Sequence, residues 1–136
     1  MYENPFALEI IAPNRVVYRG SATSVSMPGV MGGFQVLFNH APLLAALDVG
    51  RIKLRDKEGQ DQQFATSGGF AEVRANKVVV LVESAERPEE IDRDRAHAAR
   101  ERAQKRIRAR DEGIDIQRAQ LALARALNRL RLAESL

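Results

Sequence analysis

Between Phe6 and Val82 the apolar positions come in short runs broken by turn residues, and within several runs they alternate with polar ones. Side chains two apart share one face of a strand, so the pattern predicts antiparallel β-strands with one buried and one wet face. Phe6, Leu8 and Ile10 alternate with Ala7 and Glu9. Ile52 and Leu54 alternate with Arg51, Lys53 and Arg55, and Asp56-Lys57-Glu58-Gly59 supplies the turn that follows. Val16-Val17-Tyr18, Ser24-Val25-Ser26-Met27, Phe34-Gln35-Val36-Leu37, Phe70-Ala71-Glu72-Val73 and the wholly apolar run from Val78 to Val82 extend the series. Short strands at this spacing, with no crossover helix between them, predict a sandwich or barrel rather than a parallel α/β sheet.

After Arg87-Pro88 the period lengthens. Pro88 suits a first helical position, Glu89, Glu90 and Asp92 place negative charge near the positive helix end, and Ala96, Ala99, Ala103 and Ile107 follow at spacings of three or four. Asp111-Glu112-Gly113 interrupts this helix, and Ile116, Ala119, Leu123, Ala126, Leu127, Leu130 and Ala133 mark one face of a second. Two alanine-lined faces joined by a short turn predict an antiparallel hairpin whose axes approach closely. The expected fold is therefore mixed β plus α: an N-terminal antiparallel β-sandwich over residues 1–87, then a C-terminal antiparallel two-helix hairpin over residues 88–136. The hairpin buries little apolar area against its ordering entropy, so its docking is expected to be conditional.

Composition narrows the chemistry. With 45% hydrophobic and 29% charged residues the chain reads as a soluble folded protein, and no apolar run approaches the roughly 18 to 20 residues of a membrane span, so any membrane contact is expected through partners. There is no cysteine, and His40 and His97 lie far apart, which leaves no thiolate site and no expected metal. The opening Met1-Tyr2-Glu3-Asn4-Pro5 lacks a basic segment followed by an apolar core, and a bacterial cytoplasmic address is the expectation. No phosphate-loop, nucleophile-elbow or histidine–carboxylate spacing is present, so no catalytic residue is assigned and an independent enzyme is not expected. Pro28-Gly29 and Gly32-Gly33 read as turns, and His40 reads as a loop histidine fixing a turn.

Charge adds one feature. Lys and Arg number 9 against 9 Asp and Glu through Arg87, and 12 against 9 from Pro88 onward, so the whole excess of +3 sits in the hairpin, and nearly all of it is arginine. If the hairpin reverses near Glu112, residues whose numbers sum to about 224 lie side by side. Arg95 then faces Arg129, Arg102 lies seven residues beyond Arg95, and Arg125 lies four before Arg129. The arrangement reads either as a solvated basic face or as an anion site gripping a phosphate or an acidic segment. Periodicity leaves both open.

Four segments, in this order and spacing, resemble the epsilon subunits of F-type ATP synthases nearly end to end. They are Asn39-His40-Ala41-Pro42-Leu43-Leu44; Leu47 with Gly50; Ser67-Gly68-Gly69-Phe70-Ala71-Glu72-Val73; and Ala85-Glu86-Arg87-Pro88, ahead of an alanine-rich hairpin. The resemblance implies a non-catalytic central-stalk subunit whose sandwich grips the gamma subunit and rests on the c-ring. Its hairpin would either fold against the sandwich or extend toward the beta and alpha subunits and block ATP hydrolysis. It implies a peripheral position at the bacterial plasma membrane, on the cytoplasmic side. Some members bind ATP through a motif of Ile or Leu, Asp, two variable residues, Arg and Ala, which Ile91-Asp92-Arg93-Asp94-Arg95-Ala96 matches. By that resemblance the ATP-binding residues are Glu86, Ile91, Asp92, Arg95, Ala96, Arg102, Arg125 and Arg129, with ATP a regulatory ligand and no cofactor required. Members commonly carry acidic residues between Pro28-Gly29 and Asn39-His40. Here Val30-Met31-Gly32-Gly33-Phe34 stands in that loop, so an apolar contact with the c-ring is expected. The alternative is a sandwich adaptor whose basic hairpin binds an acidic protein or nucleic acid. Against nucleic acid, the hairpin's acids nearly offset its bases and it holds no aromatic residue to stack on a base.

Overall fold

The computed structural model describes residues 4–109, 113 and 115–135, which form two compact units, Met1–Arg87 and Pro88–Leu136. Among the described residues nine strands build the first: β1 (Phe6–Ala12), β2 (Arg15–Met27), β3 (Phe34–Val36), β4 (Leu43–Leu47), β5 (Gly50–Asp56), β6 (Asp61–Thr66), β7 (Gly69–Arg74), β8 (Lys77–Val82) and β9 (Ala85–Glu86). They hydrogen-bond in the order β4-β7-β8-β1-β2-β5-β6-β9, with β3 on β2.

The long β2 makes the two layers. Its first half pairs with β1 and its second half with β5 and β3, and the register shifts between Ala22 and Ser24 where it passes from one layer to the other. Such a shift bends a strand and lets one ribbon serve both faces of a core. Phe6, Leu8 and Ile10 from β1, Ile52 and Leu54 from β5, Phe64 from β6, and Val73, Val78 and Val80 from β7 and β8 share one buried cluster. The alternating residues of β1 and β5 thus point inward as their period predicts.

Three features differ from the expectation. β4 and β6 are strands without an alternating pattern to announce them. One pair, β1 with β8, is parallel (Leu8 beside Val78, Ile10 beside Val80), because the rest of the domain serves as its connection. The hairpin also does not begin as one helix at Pro88. A single 3₁₀ turn, Pro88–Glu90, comes first, and α1 (Arg93–Ala109) starts only after Asp92, whose Oδ1 accepts the Arg95 N–H at 3.0 Å. Asp92 is the cap of the helix rather than a residue within its first turn.

The helix α2 (Ile116–Ala133) is capped in the same way by Asp115, whose Oδ1 accepts the Arg118 N–H at 3.1 Å. Ala96 and Ala103 of α1 and Ala119, Ala126 and Ala133 of α2 are buried at seven-residue spacing, the narrow seam of two closely packed helices. The expected turn at Asp111-Glu112 lies outside the described residues. Arg93 ties the far end of the hairpin: its guanidinium donates to the Ala133 carbonyl, satisfying one of the acceptors left at the end of α2.

The β5–β6 turn depends on one carboxylate. Buried Asp56 accepts the backbone N–H groups of Gln60 and Glu58 at 2.9 and 3.0 Å, and these bonds, led by Gln60, hold its pKa below the ordinary carboxylate value. A depressed folded-state pKa contributes stability above the unfolded value that is lost as pH falls through the folded one. Asp56→Ala is therefore expected to lower Tm at pH 7, with the gap to the native chain closing below about pH 4. Thermal melts across that range test it.

Candidate functional site

Most residues singled out from the sequence as conspicuous in the sandwich have structural work. Asn39 has φ 57° and its N–H donates to Asn76 Oδ1 at 2.7 Å, while the Asn76 amide donates to the Pro5 carbonyl at 3.2 Å. Asparagine tolerates this left-handed geometry, so Asn39-His40 is a pinned corner. His40 Nδ1 donates to the adjacent Ala41 carbonyl at 2.6 Å, in keeping with a turn residue. Arg87 donates to Gln62 Oε1 at 2.7 Å and lies 4.8 Å from the centroid of the Phe64 ring, closing the end of the sandwich.

Two apolar surfaces remain open. Leu44, Phe70 and Leu81 are exposed on the outer face of β4, β7 and β8, where Phe70 pairs with Leu81 and with Ala46. At the tip of the loop between β2 and β3, Val30 is 57% and Met31 99% exposed. The Val30 N–H donates to the Ala46 carbonyl at 2.9 Å, which holds the loop against β4.

The residues expected at a ligand lie in the second unit, with one exception: Glu86 ends β9 in the sandwich, paired with Ala65. Ile91 and Ala96 are buried, and flank the Asp92 cap as the apolar pair that commonly fixes the entry of a helix. Arg95 and Arg102 are exposed on α1, and Arg125 and Arg129 are half-buried on α2. With Arg93 reaching Ala133, the antiparallel register places Arg95 beside the turn that carries Arg129, and Arg102 beside that of Arg125.

Toward the other end the helices open into a cleft of about 540 Å³ lined by Arg106 from α1 and by Arg118, Ala119, Ala122 and Arg125 from α2, with Gly113 and Asp115 at its mouth. Of the eight residues expected at the ligand, this cleft contains only Arg125. Arg106 and Arg118 are not among those eight, although for Arg118 the sequence carries a signal. The six-residue pattern at Ile91 occurs a second time, as Ile114-Asp115-Ile116-Gln117-Arg118-Ala119. Both aspartates cap helices, so the pattern is in the first place a helix-start code and only secondarily a ligand motif.

Comparison with known proteins matches the two units separately. Residues 5–88 match the family described as ATP synthase, Delta/Epsilon chain, beta-sandwich domain, and residues 89–134 match ATP synthase, Delta/Epsilon chain, long alpha-helix domain. An ATP synthase epsilon chain of Syntrophomonas wolfei is 45% identical over 135 residues, covering 99% of this chain and 98% of its own. That of Moorella thermoacetica is 46% identical over 129 residues, covering 95% and 96%. A chain in the Euglena gracilis mitochondrial ATP synthase superposes with a TM-score of 0.80 at 22% identity, covering 91% of this chain and 78% of that one, a likeness of fold alone. Among the described residues no helix is long and apolar enough to cross a membrane.

Proposed function

The chain belongs to the ATP synthase epsilon chain family, a central-stalk subunit of F-type ATP synthases, and from that premise we propose that it couples proton translocation to ATP synthesis without catalysing a reaction and restrains ATP hydrolysis through its hairpin. Its partners are the gamma subunit, the c-ring, and the beta and alpha subunits, and it sits peripherally at the cytoplasmic side of a bacterial plasma membrane. The open apolar face of Leu44, Phe70 and Leu81 suits a permanent protein partner, which we assign to gamma. The exposed Val30–Met31 tip suits the c-ring, and makes that contact apolar rather than a charge pair.

One observation supports the regulatory part: α1 and α2 pack antiparallel, in a register that sets Arg95 and Arg102 of α1 near the turns of α2 that carry Arg129 and Arg125. Guanidinium groups gathered this way suit phosphate oxygens, which accept bidentate bonds from them. ATP bridging the two helices favours the closed hairpin, and a fall in ATP frees the helices to engage the catalytic head. A ligand shifts such an equilibrium only by its difference in affinity for the two states. Asp92 contributes by capping α1 and so fixing the backbone from which Arg95 projects. Ile91 and Ala96 form the apolar wall beside it.

Calorimetric titration of the isolated protein with ATP tests this reading. Saturable binding is expected for the native chain. Loss of a charged hydrogen-bond partner costs about 1.5 to 3 kcal/mol, so Arg95→Ala and Arg129→Ala are each expected to weaken it by roughly ten- to a hundredfold. Binding unchanged in both variants would remove ATP from these arginines.

A further inference from the structure

On α1, Arg95, Ala99, Arg102 and Arg106 fall at intervals of four, three and four; on α2, Arg118, Ala122, Arg125 and Arg129 fall at the same intervals. Each set lies on one face of its helix, and the helices run antiparallel, so the arginines form three rungs: Arg95 with Arg129, Arg102 with Arg125, and Arg106 with Arg118. The first two belong to the ATP reading. The third lines the cleft of about 540 Å³, together with Arg125.

We propose that Arg106 and Arg118, together with Arg125, which the ATP reading also uses, form a further phosphate-binding position at this end of the hairpin. Four observations carry it. The cleft has the volume of small-ligand sites. Its floor, Ala119 and Ala122, is small and lets an anion approach the helix between the flanking arginines. Among the described residues no carboxylate lies within ion-pair distance of Arg106, Arg118 or Arg125. Among the described residues that line the cleft the acid is Asp115, whose Oδ1 already accepts the Arg118 N–H, against the three arginines. Three guanidinium groups around an open cleft, with long side chains free to turn inward, suit a tetrahedral oxyanion of charge near minus two.

The same phosphate chemistry has two sources, a free phosphate or pyrophosphate, or the terminal phosphates of a nucleotide held on the first two rungs. The full-length chain is titrated calorimetrically at low ionic strength with pyrophosphate and, separately, with ATP. The same titrations are made on Arg106→Gln with Arg118→Gln, and on Arg108→Gln, an exposed arginine outside the cleft. If free phosphate is the ligand, the double variant binds pyrophosphate at least about tenfold more weakly, while Arg108→Gln binds it as the native chain does. If the site takes the end of a nucleotide, pyrophosphate does not bind and ATP weakens by a similar factor. The proposal is overturned if the double variant binds both anions like the native chain, or if the native chain binds neither. Loss of ATP binding on Arg95→Ala alone, with pyrophosphate binding retained, separates this position from the first two rungs. Should the glutamine variant lose helicity by circular dichroism, Arg106→Lys with Arg118→Lys keeps the charge but removes the planar fork. A several-fold weakening is then expected, and unchanged affinity overturns the proposal.

Discussion

Gly69→Ala is expected to leave the sandwich largely unfolded or mispaired. The residue stands at the corner where the chain leaves β6, which pairs with β5, and enters β7, which pairs with β8. It has φ +154°, and a Cβ there would lie 1.9 Å from the Leu81 carbonyl oxygen and 2.9 Å from the Val82 Cα, both backbone atoms of the neighbouring strand. No rotamer change relieves a clash with backbone. The corner itself cannot move, because Thr66 Oγ1 donates to the Ser84 carbonyl at 3.1 Å and accepts the Gly68 N–H at 3.1 Å, while the Glu83 N–H donates to the Gly68 carbonyl at 3.1 Å. A loss of about 4 kcal/mol or more is expected, a large part of the stability of a small domain. Gly59→Ala is the control. Its φ is +84° but nothing lies within 4 Å of the added atom, so only the left-handed backbone penalty of about 1 to 2 kcal/mol applies. Urea titrations of the two variants should differ accordingly; equal midpoints would show that the corner relaxes.

That corner also shows what the sequence could and could not disclose. Ser67-Gly68-Gly69-Phe70 was conspicuous enough to support a family resemblance, yet the reason for its two glycines lies in β8 and in the end of β4, where the Leu47 carbonyl is 2.9 Å from a Cβ on Gly68. Alternation made β1 and β5 legible because one side of each is wet. Leu43-Leu44-Ala45-Ala46-Leu47 does not alternate in hydrophobicity, since its outward Leu44 belongs to an apolar outer face. In β6, Phe64, Ala65 and Thr66 are all buried, because β9 and the corner cover the end of the strand. The parallel β1–β8 pair joins residues about seventy apart, beyond the reach of any local pattern.

Of the candidate site the sequence discloses the antiparallel register: a reversal near Glu112 puts Arg95 opposite Arg129, and the Arg93 bond to the Ala133 carbonyl sets a register close to that one. Pro88 suits a first helical position, yet it opens a 3₁₀ turn, and α1 starts after Asp92, whose side-chain oxygen accepts the Arg95 N–H. Arg106 and Arg118 lie outside the pattern at Ile91–Ala96, and the cleft between them exists only once the helices are packed.

The second large effect concerns the hairpin as a whole. In F-type ATP synthase reconstituted with a chain ending after Arg87, ATP hydrolysis is expected to run several-fold faster than with the full chain, and to lose any dependence on ATP that is traceable to this subunit. The sandwich is expected to survive the truncation, since it is a compact unit with its own core. Its buried cluster ends with Ala85, and Arg15 and Arg87 donate at its edge to the Ala85 carbonyl and Gln62. Assembly and proton-driven synthesis should therefore persist while the brake is gone. In the full chain, a closed hairpin that alone binds ATP gains about 2.7 kcal/mol at a hundred times Kd, enough to change its population roughly a hundredfold. Arg95→Ala with Arg129→Ala should then behave in the opposite sense to truncation, with the hairpin present but no longer held closed and hydrolysis inhibited even at high ATP. Hydrolysis unchanged by the truncation would detach the hairpin from regulation altogether. Relief by truncation without inhibition in the double variant would leave the brake in place and remove ATP from its control.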